Sequence, residues 1–417
     1  MSNSLYRVST ANQYDNALRN IGQRQTSLSN LQENLTSGKR VVRSSDDPVG
    51  AAQAERALTR LSRIQTEQRA LETQRNAIAQ AESAMGEAVG LIQNARELIV
   101  NAGNGTLTSN DRATIANQLQ GLREQLSEVA NRKDTNGVPL LGALGSAMAP
   151  FLGPLGASPD YQFSGLAGQY SSTGVSIPNT LDGDSAFMFQ PQRDGVYNAS
   201  MSAIPNGRQL TTDAVKPTDL ALVTGDSYTI TFSAVGPGAT AGTSSATYEI
   251  TNTTLGGPPT TVVVPDYPSN KPVNIAVTGI PGLSLNITGT PAVGDTVTLQ
   301  PSASVFSAMD SVIKDVRSAP NSNAAIQAVG QALANLDAGL ERMHNMRGYA
   351  GELLNRADRI TGDQEKRSIQ LEGDRSRAED LDMIQGISDF QNQQVGYEAA
   401  LKSYAMVQKL SLFNFIG

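Results

Sequence analysis

Apolar residues recur every seven positions at both ends of the chain. The repeat near the start consists of Tyr14, Ile21, Leu28 and Leu35, with Leu31 on the same helical face. The repeat near the end consists of Met383, Phe390, Tyr397 and Tyr404, joined by Ile387 and Leu401. A seven-residue repeat places a narrow apolar stripe along a helix, and that stripe has to be buried against another helix. The pattern therefore predicts two terminal helices that pair.

The first of these helices is rich in residues that form helices poorly. About half of residues 2–37 are Ser, Thr, Asn or Gln, which are mediocre helix formers. Such a helix is marginal alone and becomes stable when a partner covers its apolar stripe. We therefore predict that residues 1–45 and 383–417 are terminal helices that remain disordered until assembly.

A longer repeat runs through the rest of the first block. Its members are Ile64, Leu71, Ile78, Met85, Ile92 and Ile99, again seven residues apart. Asp47 and Pro48 predict where this helix begins, because Asp is a good N-cap and proline fits the first helical turn. Thr108 with Asp111 resembles a capping box that opens another helix. Asn136-Gly137 is a turn signal of the hairpin type.

The composition changes between residues 160 and 300, where apolar and polar residues alternate in short segments that are typical of strands. Tyr228, Ile230 and Phe232 predict one face of a strand, and similar runs follow at 248–250, 262–264, 273–277, 283–287 and 297–299. Only fourteen charged side chains lie between residues 145 and 305. These observations predict a small antiparallel β domain inserted between two helical segments.

The last block is helical again and carries two neighbouring apolar rows. One row is Ile326, Leu333, Leu340 and Leu354, and the other is Val329, Leu336, Met343 and Ala350. These rows predict a partner for the helix that begins after Asp47. Gly373 and the acidic residues Glu379, Asp380 and Asp382 predict a break followed by a new helix, because carboxylates favour a helix N-terminus.

The blocks together predict an α+β multidomain fold. A long antiparallel, coiled-coil-like helical core is built from the N- and C-terminal segments, and a small antiparallel β domain is inserted into it. We assign residues 46–165 and 302–382 to the discontinuous helical core, which includes a β-hairpin. Residues 166–301 are assigned to the inserted, outward-facing β domain.

Composition excludes several kinds of site. The chain has no cysteine and a single histidine, so disulfides, thiolate zinc sites and cysteine nucleophiles are excluded. We interpret His344 as a helix-surface or interhelical residue, and Asp182 with Asp184 as solvated turn residues rather than a calcium site. No phosphate-binding loop or activated nucleophile is recognisable, so we expect neither catalysis nor a cofactor.

Charge and hydropathy restrict the possible partners. The net charge is −7, and Lys and Arg are interspersed with Asp and Glu, which argues against binding nucleic acid. No apolar run approaches the roughly 20 residues that cross a bilayer, so membrane insertion is not expected. The start of the sequence lacks the features of a secretory signal peptide. We expect a protein that stays in the cytoplasm or leaves it without a cleaved signal.

Several ordered motifs resemble the bacterial flagellin family. They are Leu35–Arg40, Ser44–Ala51, Asn131–Gly137, Ser376–Asp382 and Tyr397–Leu401. The residues within them that match the family are Asp46, Asp47, Pro48, Asn136, Gly137, Glu379, Asp380 and Asp382. Pro48 after the acidic pair, the segment Phe163-Ser-Gly165 and the closing Phe413-Asn414-Phe415 are more similar to the family's hook–filament junction proteins than to its filament subunits.

The resemblance implies export in an unfolded state through the flagellar type III apparatus, with a cytoplasmic flagellar export chaperone. It also implies an extracellular structural adaptor, a ring of copies of the chain itself between hook-associated protein 1 and flagellin. In such a ring the terminal helices line the inner tube and the β domain faces outward. Our hypothesis is that the apolar repeats of both termini form a seam that assembly completes.

Two other interpretations remain open from the sequence. The chain resembles flagellin, the filament subunit, in most of the same motifs. A chain from another class, a surface module whose β domain binds a glycan or host protein on a helical stalk, would show similar block composition. A defined ligand for residues 166–302 would favour that module.

Overall fold

The computed structural model describes residues 10–143, 149–156, 158–167, 174–201 and 210–416, with side chains in these ranges from residue 15 to residue 406. The chain divides into two compact units, residues 1–69 with 361–417, and residues 70–360. The helices of the described residues are α1 (Thr10–Ser37), α2 (Pro48–Ala102), α3 (Ser109–Ala130), α4 (Gly183–Phe187), α5 (Pro191–Asp194), α6 (Val305–Ser318), α7 (Ser322–Glu379) and α8 (Met383–Ile416).

In the unit formed by residues 70–360, α2 and α7 run antiparallel. Three ion pairs show this direction, since the residue number rises on one helix as it falls on the other. They are Arg75–Asp358 (3.2 Å), Glu82–Arg347 (2.6 Å) and Arg96–Asp337 (2.9 Å). The predicted repeat of α2 from Leu71 to Ile99 is at most 2% exposed. On α7 the row containing Leu336 and Met343 is buried, whereas Ile326 of the other row is exposed.

The predicted capping box is present at the start of α3, where Thr108 and Asp111 bond reciprocally. An aromatic cluster then joins the segment after α3 to α6. Phe306 is fully buried, and its ring centroid lies 5.2–5.7 Å from those of Phe151, Tyr161 and Phe187. This cluster helps to hold together helices that are far apart in sequence.

One partly buried polar contact involves Tyr161 of the aromatic cluster. The Tyr161 hydroxyl donates to the Asp310 carboxylate at 2.6 Å, and Arg123 donates to the other oxygen of that carboxylate at 2.8 Å. Burial, followed by the hydrogen bond to Asp310 and by the charge of that carboxylate, raises the pKa of Tyr161 above its usual range. The phenol is therefore a neutral hydrogen-bond donor at physiological pH.

The strands of the described residues fall into three antiparallel sheets. They are β1 (Phe151–Leu152), β2 (Gln162–Phe163), β3 (Tyr197–Met201), β4 (Leu210–Thr212), β5 (Lys216–Pro217), β6 (Tyr228–Pro237), β7 (Thr243–Asn252), β8 (Thr260–Pro268), β9 (Val273–Val277), β10 (Leu283–Gly289) and β11 (Thr296–Pro301). One sheet has the order β3-β11-β6-β7-β8, and in a second β10 pairs with β4, β5 and β9; β1 pairs with β2. Tyr228, Ile230 and Phe232 are buried on one face of β6 as predicted, in a core that the two larger sheets share.

Two sequence interpretations were wrong. Gly373 does not end a helix, because α7 continues to Glu379; a single glycine costs only about 1 kcal/mol in a helix interior. Asp182 and Asp184 are buried rather than solvated. Asp182 caps α4, and Asp184 forms an ion pair with Arg193 at 3.3 Å.

The predicted fold class is confirmed. The molecule combines a long antiparallel helical core with an antiparallel β region inserted between α5 and α6. The predicted domain boundaries remain predictions.

Candidate assembly surface

Two of the predicted motif segments, far apart in sequence, meet in the unit formed by residues 1–69 and 361–417. Lys39 and Asp380 face each other across a short antiparallel bridge. The backbone N–H of Arg40 donates to the Glu379 carbonyl at 2.7 Å. The Lys39 ammonium group forms an ion pair with the Glu379 carboxylate. The segment at Lys39 and Arg40 is therefore joined to the segment at Glu379 and Asp380 beside the first turn of α2.

Asp47 caps α2 at this joint. One of its carboxylate oxygens accepts the backbone N–H groups of Val49 at 3.1 Å and Gly50 at 2.9 Å. The Gly50 N–H, and after it the Arg40 guanidinium, hold the pKa of Asp47 below its ordinary value. Pro48 is the first residue of α2, where its missing N–H removes no helical bond. This motif therefore has a clear local role in starting a helix.

Arg40 connects both sides of the joint. Its guanidinium donates to the second Asp47 oxygen at 3.2 Å and to the Ala378 carbonyl at 2.8 Å. Asp46 stabilises the loop between Arg40 and Asp47 by accepting the backbone N–H of Arg43 at 2.8 Å. Each member of the acidic pair therefore bonds one of the arginines that precede it, Asp47 the side chain of Arg40 and Asp46 the backbone of Arg43.

Asp382 begins the terminal helix. Its carboxylate accepts the backbone N–H groups of Ile384 at 3.0 Å and Gln385 at 3.2 Å, which caps α8 in the usual way. The three-residue interval between α7 and α8 thus contains Asp380 at the bridge and Asp382 at the cap.

Asn136 and Gly137 lie in the other unit, residues 70–360. They form the tip of a tight turn, in which the Asp134 N–H donates to the Val138 carbonyl at 2.8 Å. Gly137 has a φ of +81°, a conformation that glycine adopts readily.

Helices α1 and α8 pair within the first unit. Ile21, Leu28, Leu31 and Leu35 of α1 are only half-buried, and Tyr14 lies in α1 with its side chain outside the described residues. On α8 the half-buried or buried positions recur at intervals of three and four residues. They are Gly386, Phe390, Gln393, Tyr397, Ala400 and Tyr404, with Gly396 beside Tyr397, and we call them the inner face of α8.

Small residues on the inner face let α1 approach closely. A Cβ atom added at Gly386 would lie 2.8 Å from the Leu381 side chain and 3.3 Å from the Leu35 side chain. A Cβ atom at Gly396 would meet the guanidinium of Arg24. The helix pair is therefore built around glycine as well as around large apolar residues.

A second apolar surface of α8 is open. Met383, Ile387 and Leu401 are 40–46% exposed, and Ile384, Val395 and Met406 are 66–85% exposed. We call these six residues the outer face of α8. Three of them belong to the predicted seam, so the structure divides that seam between two faces of one helix.

Gly386 and Arg40 were missed as site residues. A search for large apolar residues passes over glycine, and no sequence signal would have found Gly386. The basic pair before Asp46 and Asp47 was a usable signal for Arg40, since opposite charges close together in sequence often meet at a helix start.

Other chemistry has little support in the part of the chain that the structure describes. No cluster of three or more acidic or histidine side chains there could hold a metal ion. His344 lies exposed on α7. None of the helices that the structure describes is both long and apolar enough to cross a bilayer.

Comparison with known proteins gives one family and two named relatives. Residues 8–144 match the bacterial flagellin N-terminal helical region. The chain is 38% identical to flagellar hook-associated protein 3 of Salmonella typhimurium (strain LT2) over 35% of its length, and 32% identical to that of Escherichia coli (strain K12) over 52%. These alignments span 46% and 65% of the relatives, less than two thirds of either.

Solved structures show the same fold. The flagellar junction protein FlgL of Legionella pneumophila matches with a TM-score of 0.58 at 24% identity, covering 73% of this chain and 99% of that one. Xanthomonas campestris FlgL matches with a TM-score of 0.55 at 22% identity, covering 76% and 98%. The resemblance predicted from the motifs is confirmed: residues 8–144 are similar to the N-terminal helical region of bacterial flagellins, and both named relatives are flagellar hook-associated protein 3.

Proposed function

We propose that this chain is a structural adaptor of the bacterial flagellum at the hook–filament junction. The observation that carries the proposal is the open outer face of α8, in a chain whose named relatives are hook-associated protein 3. Six apolar side chains that are 40–85% exposed on one helix are typical of a surface that another protein covers. A structural role also agrees with a family of flagellar structural proteins.

The proposed mechanism is assembly-coupled folding of the terminal helices. Between residues 15 and 37, no side chain of α1 is buried, and between 383 and 406 of α8 only Gly386 is buried. A helix pair with so little buried surface gains little from tertiary packing, which is the main source of helix stability. Neighbouring subunits would supply the missing contacts.

The proposed partners are hook-associated protein 1 on one side, flagellin on the other, and further copies of this chain in a ring. A cytoplasmic flagellar export chaperone would hold the terminal segments before export through the type III apparatus, which would place the protein outside the cell. Segments that fold only on binding suit this route, because they pass a narrow channel unfolded and become ordered at their destination.

A deletion strain tests the role. We expect hooks without filaments, with flagellin monomers released into the medium, because the adaptor that retains flagellin is missing. Loss of filaments without released flagellin would instead identify the chain as the filament subunit. Normal swimming in a strain without a redundant copy would contradict both and favour a surface-binding module.

Amide hydrogen exchange on the purified full-length chain tests the mechanism. We expect rapid exchange in α1 and α8 and slow exchange in α2 between Leu71 and Ile99, which serves as the internal control because it is buried. Protection of α1 and α8 equal to that of α2 would show that the seam is complete in the single chain.

A further inference from the structure

Three side chains of the outer face form a straight line along α8. Ile384, Val395 and Met406 are spaced by eleven residues, so on a regular helix they lie within a sector of about 40° and about 16.5 Å apart. Lys402 is exposed and falls in the same sector, about 6 Å along the helix from Met406. The line therefore presents apolar side chains with a cation between them.

A groove whose lining complements this line of α8 residues lies at the start of α2. It has a volume of about 570 Å³ and runs between the loop at Val41 and the first three turns of the helix. Its apolar walls include Val41, Pro48, Ala52 and the exposed Leu58. All of these residues belong to the unit formed by residues 1–69 and 361–417.

Carboxylates complete the groove. Glu55 and Glu379 both line it. Arg43 also lines the groove, but its guanidinium is paired with Glu33 at 2.7 Å, and Glu379 is paired through its other oxygen with Lys39. Glu379 is nine-tenths buried, and its Oε2 atom accepts no hydrogen bond from the residues that the structure describes. A buried carboxylate oxygen without a donor is costly, so a cationic or N–H donor that enters the groove would be stabilised there.

We propose that this groove receives α8 of a second copy of the chain. Met406 of one copy enters the apolar groove of the next, and its Lys402 reaches Glu55 and the unbonded oxygen of Glu379. Methionine suits such a contact because its flexible side chain adapts to irregular surfaces. The inference rests on the proposed function in that it gives the ring a specific contact between copies.

The second copy is favoured because one chain carries both complementary surfaces. The line on α8 combines apolar side chains that are 66–85% exposed with the cation of Lys402, and the groove combines apolar walls with the carboxylates of Glu55 and Glu379. Ile369 on α7 is also strongly exposed but belongs to neither surface. Groove and line are different surfaces of one chain, so the contact is heterologous and repeats around a ring or helix instead of closing a dimer.

The absence of cysteine from the chain makes disulfide cross-linking a clean test. Full-length Ala52→Cys and Met406→Cys proteins, one of them carrying a size tag, are mixed and oxidised over a concentration series. We expect the mixed disulfide at least about tenfold above that of the matched control, Ile369→Cys mixed with Met406→Cys. A yield no higher than that of the control at every concentration would overturn the proposal.

Charge reversal gives an independent readout on the same pair. Lys402→Glu in the Met406→Cys protein should lower the yield several-fold, and Glu55→Lys in the Ala52→Cys protein should restore it. An unchanged yield in Lys402→Glu would show that the groove does not receive this cation. The cross-linking assay uses purified chain and tests only the contact between copies. The deletion strain tests the proposed role at the junction, so a failure of one proposal can be told from a failure of the other.

Discussion

Replacing two outer-face residues should separate the stability of the single chain from its capacity to assemble. Ile384→Ser with Val395→Ser removes the two most exposed side chains of that face, which are 85% and 67% exposed. Ser, Ile and Val have similar helix propensities, so the helix itself should be little affected.

The expected changes in folding stability and in subunit association follow from the exposed fractions of the two side chains. Full burial of such a side chain stabilises by about 1.5–3 kcal/mol, and the buried parts of the two side chains amount to roughly half of one residue. The variant should therefore lose only about 1 kcal/mol as a single chain. Assembly would cover the remainder, so subunit association should weaken by about 2–4 kcal/mol, or roughly 30- to 700-fold.

Two measurements are needed on the same variant. Urea unfolding of the purified chain gives the stability, and filament counts in a complemented deletion strain give assembly. Ile369→Ser is the matched control, because Ile369 is 75% exposed but lies on α7, outside the outer face. We expect near-normal unfolding and few filaments for the double variant, with normal results for the control.

Either of two results would refute this reasoning. A loss of 3 kcal/mol or more, on the scale of a core truncation, would mean that the outer face is already covered in the single chain. A normal number of filaments, stable to shear, would mean that no neighbour covers it.

Three further predictions concern stability and helix pairing. Phe306→Ala should destabilise the chain by about 3–5 kcal/mol in urea unfolding, because the side chain is fully buried among aromatic rings; a loss below 1 kcal/mol would contradict the packing. Burial raises the pKa of Asp315, so the charged carboxylate destabilises the folded chain at a pH above that pKa. Asp315→Asn should therefore raise the free energy of unfolding at pH 7, and this gain should disappear as the pH falls towards 3.8, the ordinary pKa of the group. A gain that does not change with pH would exclude this cause. Gly386→Val should disrupt the α1–α8 pair and reduce filament number, because its Cβ position is only 3.3 Å from the Leu35 side chain of α1 and 2.8 Å from the Leu381 side chain. Gly396→Ala meets only the flexible Arg24 side chain and should be tolerated, so equal losses in both variants would argue against the close contact at Gly386.

The long repeat of α2 was readable from sequence because one set of large side chains is buried along its whole length. The same method could not find the inner face of α8. Large apolar residues cover more than half of the circumference of α8, and the close contacts with α1 lie at Gly386 and Gly396. Seven-residue spacing alone cannot indicate which side of such a helix meets its partner.

Burial of charged groups was the other limit. Asp184 looked like a turn residue because nothing near it in sequence suggests a core. Its environment depends on Arg193 and Gln190, which bond it, and on Arg342, whose guanidinium donates to the Ser185 carbonyl at 2.9 Å. An arginine about 150 positions away in the chain can be placed beside a carboxylate only by the fold.

The three ion pairs between α2 and α7 protect the chain against a particular folding error. The apolar repeats alone would tolerate a slip of seven residues, since one large side chain would replace another. Such a slip in one direction would place Arg75 opposite Arg347, and in the other would place Glu82 opposite Asp358. Each exposed pair stabilises by only about 0–1 kcal/mol, but in a slipped helix pair attraction becomes repulsion. Two helices that are separated by more than 200 residues of chain can thereby distinguish the correct register from one shifted by seven residues.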